Sequence, residues 1–263
     1  AQLAPLEEEL NRDLAFAYGA DSPENKFARF VESHRPFHWY VQFYDIMLHG
    51  GFDVIIGNPP YVSKNKVANE YSVEGYATSD ASDIYAWVLE RTVRLSSPYS
   101  RVSMIVPLSL TFSRFFGSLR KLLIEEYDTN WFSSYDNIPA PLFSGVSQRC
   151  TIWIGQRQAD LRRLWVAPMV RWRAQYRPHL LHTVEYTNWP RLDTITSEIP
   201  KLASTALRSY YQLLSECKSV EPTRFNSALD KSDYHLSYSL AARNFISIFV
   251  SEPPCFDANS LLV

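Results

Sequence analysis

The sequence predicts an α/β fold, in which strands alternate along the chain with helices. Residues 52–56 and 101–106 are short, apolar runs rich in β-branched residues that end at a glycine and a proline, as buried strands do. Residues 80–95 lie between them and repeat apolar side chains at helical spacing. Alternation of this kind favours a sheet with helices packed against it. With 46% apolar and 21% charged residues, the 263-residue chain is expected to be globular, with a sizeable core.

The remaining elements follow from local patterns. Residues 1–33 are polar and predict a mostly helical segment, whereas the densely aromatic residues 35–45 are expected to be largely buried. Residues 52–56 predict a parallel strand that is buried on both faces. The further predicted elements are a helix, two strands and a second helix, at residues 113–127, 131–135, 149–154 and 204–215.

The second part of the chain follows a different pattern. The alternation fades after residue 157, so we divide the chain into the regions 1–157 and 158–263. Residues 157–201 carry eight bases against four acids, with tryptophans and tyrosines between them, although the whole chain has a net charge of only -2. Such a stretch could follow a phosphate backbone, or it could be an ordinary solvated face above core aromatic residues.

Composition excludes several classes of function. The chain has eight glycines and no Gly-x-Gly, which excludes a glycine-rich dinucleotide fingerprint and a P-loop among these residues. Because Cys150, Cys217 and Cys255 are isolated, neither a disulfide framework nor a metal cluster is expected, and a cytoplasmic location is favoured. No apolar run approaches the roughly 18 residues of a membrane span, and no signal-peptide pattern is present. We therefore expect no metal and no membrane partner.

The most specific signal is Asn58-Pro59-Pro60-Tyr61, which directly follows the first predicted strand. In open α/β sheets, ligands bind beyond the carboxyl ends of the strands, so these residues lie where chemistry is expected. The Asn58 amide oxygen and the Pro59 carbonyl could accept both N–H groups of an exocyclic amine and make its lone pair available for attack. Tyr61 could stack on the heterocycle, which must be flipped out of a duplex to reach the site. The competing interpretation is a rigid turn at a strand end.

Residues 53–62 resemble the catalytic motif of S-adenosylmethionine-dependent DNA adenine-N6 methyltransferases. The wider pattern is similar to the Eco57I-like, type IIG enzymes of restriction-modification and related phage-defence systems. The segments that share this pattern are 37–43, 83–90, 101–109, 142–153, 171–172 and 199–201. The resemblance implies a partial Rossmann-like methyltransferase sheet from the catalytic strand onward, followed by a mixed α+β target-recognition region. It also implies site-specific methylation of double-stranded DNA that presents a flipped adenine.

The resemblance assigns roles to individual residues. Asn58, Pro59, Pro60 and Tyr61 are the implied catalytic residues, and Asn58 and Pro60 would also border the cofactor S-adenosylmethionine. Tyr61 would stack on the base, and Phe143 is a second candidate that could instead be a core residue. The implied DNA contacts are Lys64, Lys66, Arg171, Arg173 and Arg177. For the two lysines, a solvated loop is the alternative.

One part of the family pattern is missing. The family places a glycine-rich strand and turn before the catalytic strand, where they bind most of the cofactor, whereas the 57 residues before Asn58 contain no such turn. We therefore expect a further N-terminal portion or a partner polypeptide to supply the cofactor-binding half, unless the chain is a degenerate relative. Two other functions stay open. The chain could be a non-catalytic DNA-recognition or scaffold subunit of a defence complex, or it could methylate an RNA base or a protein glutamine, because Asn-Pro-Pro-Tyr also occurs in release-factor glutamine methyltransferases.

Overall fold

The computed structural model describes most of the first 201 residues and three short strands further along. The described ranges are 3–68, 70–145, 147–158, 162–189 and 198–201, together with 237–239, 248–249 and 260–262. The chain divides into two compact units, Ala1–Arg208 and Ser209–Val263. The helix predicted at 204–215 lies outside the described residues.

Four helices precede the sheet of the first unit. They are α1 (Leu3–Ala17), α2 (Glu24–His34), α3 (Trp39–Gln42) and α4 (Tyr44–Leu48). The first two enclose a small apolar cluster of Ala15, Phe27 and Phe30. The helical character predicted for the beginning of the chain is therefore confirmed.

The aromatic segment 35–45 is not largely buried, contrary to the prediction. Tyr40 and Tyr44 are 54% and 59% exposed. The two short helices α3 and α4 turn successive side chains in different directions, so that Trp39 contacts Phe52 at 5.9 Å between ring centroids while the neighbouring tyrosines stay exposed. The density of aromatic residues indicated an apolar contact, but it did not indicate which rings the contact would cover.

A six-stranded mixed sheet forms the centre of the first unit. Its strands are β1 (Phe52–Gly57), β2 (Ser96–Pro107), β3 (Thr129–Tyr135), β4 (Cys150–Gln156), β5 (Arg163–Val170) and β6 (Thr187–Trp189). Their order across the sheet is β1-β2-β4-β3-β5-β6. β1 is parallel to β2 and β3 is parallel to β5, whereas all other neighbours are antiparallel. With its helices, this sheet confirms the predicted α/β class.

Among the described residues, three further α-helices accompany the strands: α5 (Lys64–Val67), α6 (Tyr85–Leu95) and α7 (Gly117–Glu126). α6 begins later than predicted because the backbone before it pairs with another segment. The Lys64 N–H donates to the Ser82 carbonyl at 2.8 Å, and the Ile84 N–H donates to the Val62 carbonyl at 3.0 Å. α6 is mostly buried, so it contributes much of the apolar core beside the sheet.

Strand β1 is parallel, as predicted, but it is not buried on both faces. It is the edge strand of the described sheet, and the side chains of Val54 and Ile56 are 60% and 78% exposed. A cavity of about 500 Å³ lies beside it, lined by apolar residues that include Trp39 and Met104. The prediction was wrong because an apolar strand indicates only that burial of both faces is favourable. It does not indicate which residues cover each face.

The sheet continues past residue 157, since β5 and β6 both follow it. The division into regions at that residue stays a prediction about roles. In the second unit, β7 (Ser237–Ser239), β8 (Ile248–Phe249) and β9 (Ser260–Leu262) form an antiparallel sheet in the order β8-β7-β9. Across the described ranges, no helix combines the length and the apolarity that crossing a bilayer requires.

Candidate active site

The carboxyl ends of four strands lie at one edge of the six-stranded sheet, because β1, β2, β3 and β5 run in the same direction. We call this the carboxyl edge; its strand ends are Gly57, Pro107, Tyr135 and Val170. Residues 58–61, the loop 136–149 and the residues after 170 all begin there. The topology therefore brings the predicted catalytic, base-stacking and DNA-contacting residues to one edge, where α/β sheets bind ligands.

Residues 58–61 follow β1 directly, and the side-chain amide of Asn58 is accessible to a ligand. Asn58 and Pro60 are exposed, whereas Pro59 is buried. Within the described part of the chain, the side-chain amide of Asn58 makes no hydrogen bond. Just before them, Gly57 packs closely against a side chain of β2, because a Cβ atom at this position would lie 2.8 Å from the sulfur of Met104, which would have to shift. An unengaged amide on a closely packed strand end can accept a hydrogen bond from a ligand.

The ring of Tyr61 is fixed through its hydroxyl group. The hydroxyl donates to the carbonyl oxygen of Ile105 in β2 at 2.8 Å, and the residue is half-buried. Burial raises the pKa of Tyr61, and the neighbouring Cys150 acts in the same direction. The phenol therefore stays protonated and keeps donating near neutral pH. Sequence reasoning missed both contacts because they join residues of different strands.

The segment after the motif is tied to the chain that leads into α6. Ser63 forms an antiparallel bridge with Asp83. The Lys64 ammonium group donates to the Ser79 carbonyl at 3.1 Å, whereas Lys66 is exposed. Lys64 thus helps to hold this segment, and Lys66 presents its charge to solvent.

Asp136 is the first residue after β3, and it is only 3% exposed. Its carboxylate accepts hydrogen bonds from the Nε atoms of Arg149 at 2.9 Å and Arg171 at 3.0 Å. Burial alone would raise the pKa of Asp136, but the two arginines outweigh it and lower the pKa below its usual range. The predicted DNA contact Arg171 therefore has a carboxylate partner within the chain. Sequence reasoning did not single out Asp136 or Arg149, because nothing in their spacing shows that these loop ends meet.

Arg177, another predicted DNA contact, also bonds within the chain. It donates to the carbonyl oxygens of Leu142 at 2.6 Å and Pro141 at 3.1 Å. Its guanidinium carbon lies 4.7 Å from the ring centroid of Trp172, which belongs to a buried cluster against which Leu142 packs. Phe143, the next residue, is half-buried and is not a member of that cluster.

Two of the predicted DNA contacts, Lys66 and Arg173, present their positive charges to solvent. Both side chains are exposed, and neither has an ion-pair partner among the residues that the structure describes. Within the same ranges, no three side chains of His, Cys, Asp or Glu come together in a way that could hold a metal ion. For an organic cofactor, the exposed Asn58 and Pro60 are the candidate contacts at the carboxyl edge.

A match to a known protein family defines the class of this chain, that of restriction-modification methylases. The model of the Eco57I restriction-modification methylase family matches residues 5–139, just over half of the chain. The match extends from α1 to the beginning of the loop after β3 and includes Asn58 and Tyr61. The chain belongs to the Eco57I restriction-modification methylase family.

A similar curated protein is a putative type II restriction enzyme and methyltransferase of Methanocaldococcus jannaschii, RM.MjaORFECS2P. It is 29% identical over 115 residues, which are 44% of this chain and 9% of that protein. The aligned part therefore spans less than a tenth of the relative's length.

Three solved structures show a weaker likeness. The DrdV–DNA complex is 18% identical, covering 55% of this chain and 18% of that one, with a TM-score of 0.43. A nuclease-deletion mutant of the Type ISP restriction-modification enzyme LlaGI, in complex with a DNA substrate mimic, is 15% identical over 72% of this chain and 21% of that one, with a TM-score of 0.46. A type I methyltransferase subunit from Streptococcus thermophilus is 15% identical over 65% of this chain and 33% of that one, with a TM-score of 0.33. The family assignment rests on the family match and not on these structures.

Proposed function

We propose that this chain presents a flipped adenine of double-stranded DNA for N6 methylation with S-adenosylmethionine. The reaction would belong to a restriction-modification or related phage-defence system in the cytoplasm. The observation that carries the proposal is the segment 58–61 at the carboxyl edge, with an unengaged amide at Asn58 and an anchored ring at Tyr61. Membership of the methylase family supports methyl transfer as the reaction class.

The proposed mechanism follows from the hydrogen-bonding capacity of the motif. The exocyclic amine of adenine is a poor nucleophile, because its lone pair is delocalised into the ring. The Asn58 side-chain oxygen and the Pro59 carbonyl oxygen each accept one of its N–H groups, which favours a tetrahedral nitrogen and directs the lone pair out of the ring plane. S-adenosylmethionine supplies the methyl group when it is bound. The new N–C bond would form as the methyl–sulfur bond of the cofactor breaks, S-adenosylhomocysteine would leave, and the methylated nitrogen would lose one of its two original protons to solvent.

Tyr61 contributes the surface on which the flipped base rests. Stacking of a base on an aromatic ring is worth about 1–3 kcal/mol, which helps to offset the cost of removing the base from the duplex. The bond from its hydroxyl to Ile105 keeps the ring in one orientation before the base arrives. Phe143, half-buried in a loop at the same edge, is the second candidate for base contact.

The residues fit the cofactor only in part. Asn58 and Pro60 are exposed and would border it, but the glycine-rich turn that would hold most of it is not among the 57 residues before Asn58. We propose that polypeptide outside these 263 residues supplies the cofactor-binding half and docks along β1. The exposed Val54 and Ile56 and the apolar cavity beside them support this proposal, because parallel strands with two apolar faces are normally covered on both.

Basic residues around the carboxyl edge would contact the DNA backbone. Lys66 and Arg173 are the strongest candidates for phosphate contacts, because both are exposed and lack an ion-pair partner among the described residues. Lys64 could add a contact if it released the Ser79 carbonyl. Arg171 and Arg177 lie at the same edge, but their guanidinium groups bond within the chain.

The test is Asn58→Ala in the complete methyltransferase that contains this chain. We expect labelled methyl transfer to DNA to fall by about 100-fold or more, the size of effect found when one preorganised polar group is removed from an active site. DNA binding should stay within about twofold, since the amide acts on the amine and not on phosphates. Asn65→Ala, a change of the same type at an exposed position in α5, should leave both properties unchanged.

The same experiment separates the alternative functions. Methylation that is unaffected by Asn58→Ala would contradict catalysis here and favour a DNA-recognition or scaffold subunit. Labelled methyl transfer to DNA, RNA and a release factor should be measured side by side. Transfer to RNA or to the release factor without transfer to DNA would overturn the assignment of adenine in DNA.

A further inference from the structure

We infer that two sets of contacts brace the loop 136–149 and so position Phe143 at the carboxyl edge. In this interpretation, Arg171 and Arg177 are positioning residues that act through the loop, and they do not bind DNA phosphates. The inference rests on the proposed function, because it concerns the loop that would meet the flipped base.

The first set of contacts closes the base of the loop. Asp136 is the first residue of the loop and Arg149 is the last, and their bond of 2.9 Å joins the two ends. Arg171, which follows β5, attaches the same carboxylate to the end of a third strand at 3.0 Å. Asp136 is buried and Arg149 is mostly covered, so their charge-assisted hydrogen bond is better shielded from water than an exposed ion pair, whereas the Arg171 side chain is 56% exposed.

The second set of contacts holds the middle of the loop. Arg177 donates through two guanidinium nitrogens to the carbonyls of Pro141 and Leu142, and its guanidinium group also lies against the ring of Trp172. Leu142 packs into the buried cluster around Trp172, which fixes the backbone immediately before Phe143. Phe143 stays outside that cluster and half-buried, so a rigid backbone presents a partly accessible ring.

These contacts argue against a phosphate role for the two arginines. A phosphate that took the Nε atom of Arg171 would leave a buried carboxylate with one partner fewer, and one that took the two bonded nitrogens of Arg177 would break both bonds to the loop carbonyls. Arg173 lies between them in sequence and is exposed, without an ion-pair partner among the described residues. It is therefore a matched control that carries the same charge in the same segment.

The first experiment compares Arg177→Gln and Arg173→Gln in the complete methyltransferase. We expect Arg177→Gln to speed hydrogen exchange of the backbone amides of residues 137–145 by at least tenfold, and to leave the salt dependence of binding to double-stranded DNA unchanged. Arg173→Gln should leave exchange unchanged and reduce the slope of log K against log salt by about 0.9, the value for one lost phosphate contact. The inference is overturned if Arg177→Gln leaves exchange unchanged and lowers this slope.

A conservative variant separates charge from geometry. Arg177→Lys keeps the positive charge but loses the planar fork that reaches two carbonyls, so fast exchange in the loop should persist. In methyl transfer, both Arg177 variants should lower kcat by about tenfold with KM for DNA unchanged, because a loosened loop affects the flipped base and not the encounter with DNA. Wild-type kcat and wild-type exchange rates in Arg177→Lys would contradict the inference that Arg177 braces the loop through these two carbonyls.

The two proposals fail in distinguishable ways. Hydrogen exchange in the loop does not depend on methylation, so it reports the brace even if the chain is a scaffold. If Asn58→Ala abolishes methylation while Arg177→Gln changes neither exchange nor kcat, the proposed function stands and the brace is wrong. If Arg177→Gln loosens the loop while Asn58→Ala has no effect on methylation, the contacts hold the loop but the catalytic role of the site is wrong.

Discussion

At the residue scale, the candidate site depends on contacts that cross from one strand to the next. Tyr61 belongs to the motif after β1, but the carbonyl of Ile105 in β2 fixes its hydroxyl. Asp136 belongs to the end of β3, but its partner Arg171 follows β5. The residues of the proposed site are therefore local in the sequence, while the groups that orient them are distant.

The anchor of Tyr61 gives the first prediction. Tyr61→Phe keeps the stacking ring and loses one hydrogen bond worth about 0.5–1.5 kcal/mol, so kcat/KM for DNA methylation should fall roughly 2- to 12-fold. Tyr61→Ala also loses the stacking surface, worth about 1–3 kcal/mol, and should be clearly worse. Tyr40→Phe, at an exposed ring, is the control. Equal losses for Tyr61→Phe and Tyr61→Ala would show that stacking is not the main contribution of the ring.

At the element scale, strand β1 is positioned by tight packing at its beginning as well as at its end. Gly51 lies just before the strand with φ +108°, and a Cβ atom there would collide with the backbone carbonyl of Leu95 at the end of α6. This close approach sets where the strand enters the sheet beside β2. The sequence predicted a turn at Gly50 and Gly51, but the neighbour that requires a glycine became visible only in the fold.

Two glycine substitutions test this packing. Gly51→Ala should lower the free energy of unfolding by about 3 kcal/mol. The new side chain would have an unfavourable φ, and its Cβ atom would collide with backbone, which cannot move aside as the end of a side chain can. Gly19→Ala also has a positive φ, +62°, but its Cβ atom would meet nothing within 4 Å, so about 1 kcal/mol is expected. Denaturant unfolding of the chain measures both values. A similar loss for the two variants would contradict the close approach of Gly51 and Leu95.

At the scale of the whole molecule, strand β1, which leads into the candidate site, is at the edge of the described sheet. Val54 and Ile56 are well exposed, and an apolar cavity accompanies them. An uncovered parallel edge with apolar side chains favours association with further polypeptide. The proposed site and the proposed docking surface thus share one strand, so that docking would place the cofactor beside residues 58–61.

This arrangement predicts that β1 matters for assembly more than for folding. Because Ile56 is exposed, Ile56→Lys should change the free energy of unfolding of this chain by no more than about 0.5 kcal/mol, yet abolish association with the cofactor-binding half and methyl transfer. Tyr99→Lys, at an exposed ring on β2, should affect neither. The 263 residues alone should bind S-adenosylmethionine weakly and transfer little or no methyl. Strong methylation of DNA by these residues alone would contradict the proposal.

Much of the fold was predictable because its signals are local. The apolar runs that form β1 and β2, and the helical spacing of α6, are properties of consecutive residues, and the structure places these elements close to the predicted positions. The burial of β1 and of the aromatic residues 35–45 was not predictable, because burial depends on which other segments arrive to cover a surface.

The sequence by itself determined the α/β class and the position of Asn58-Pro59-Pro60-Tyr61 at the end of a strand, because strand periodicity and proline geometry act over a few residues. Only the tertiary structure decided that Tyr61 is anchored to β2, that Asp136 joins two arginines, and that β1 lies at the edge of the described sheet. These features depend on hydrogen bonds and ion pairs between residues far apart in the chain. Such partners are set by strand order and register, which no short stretch of sequence contains.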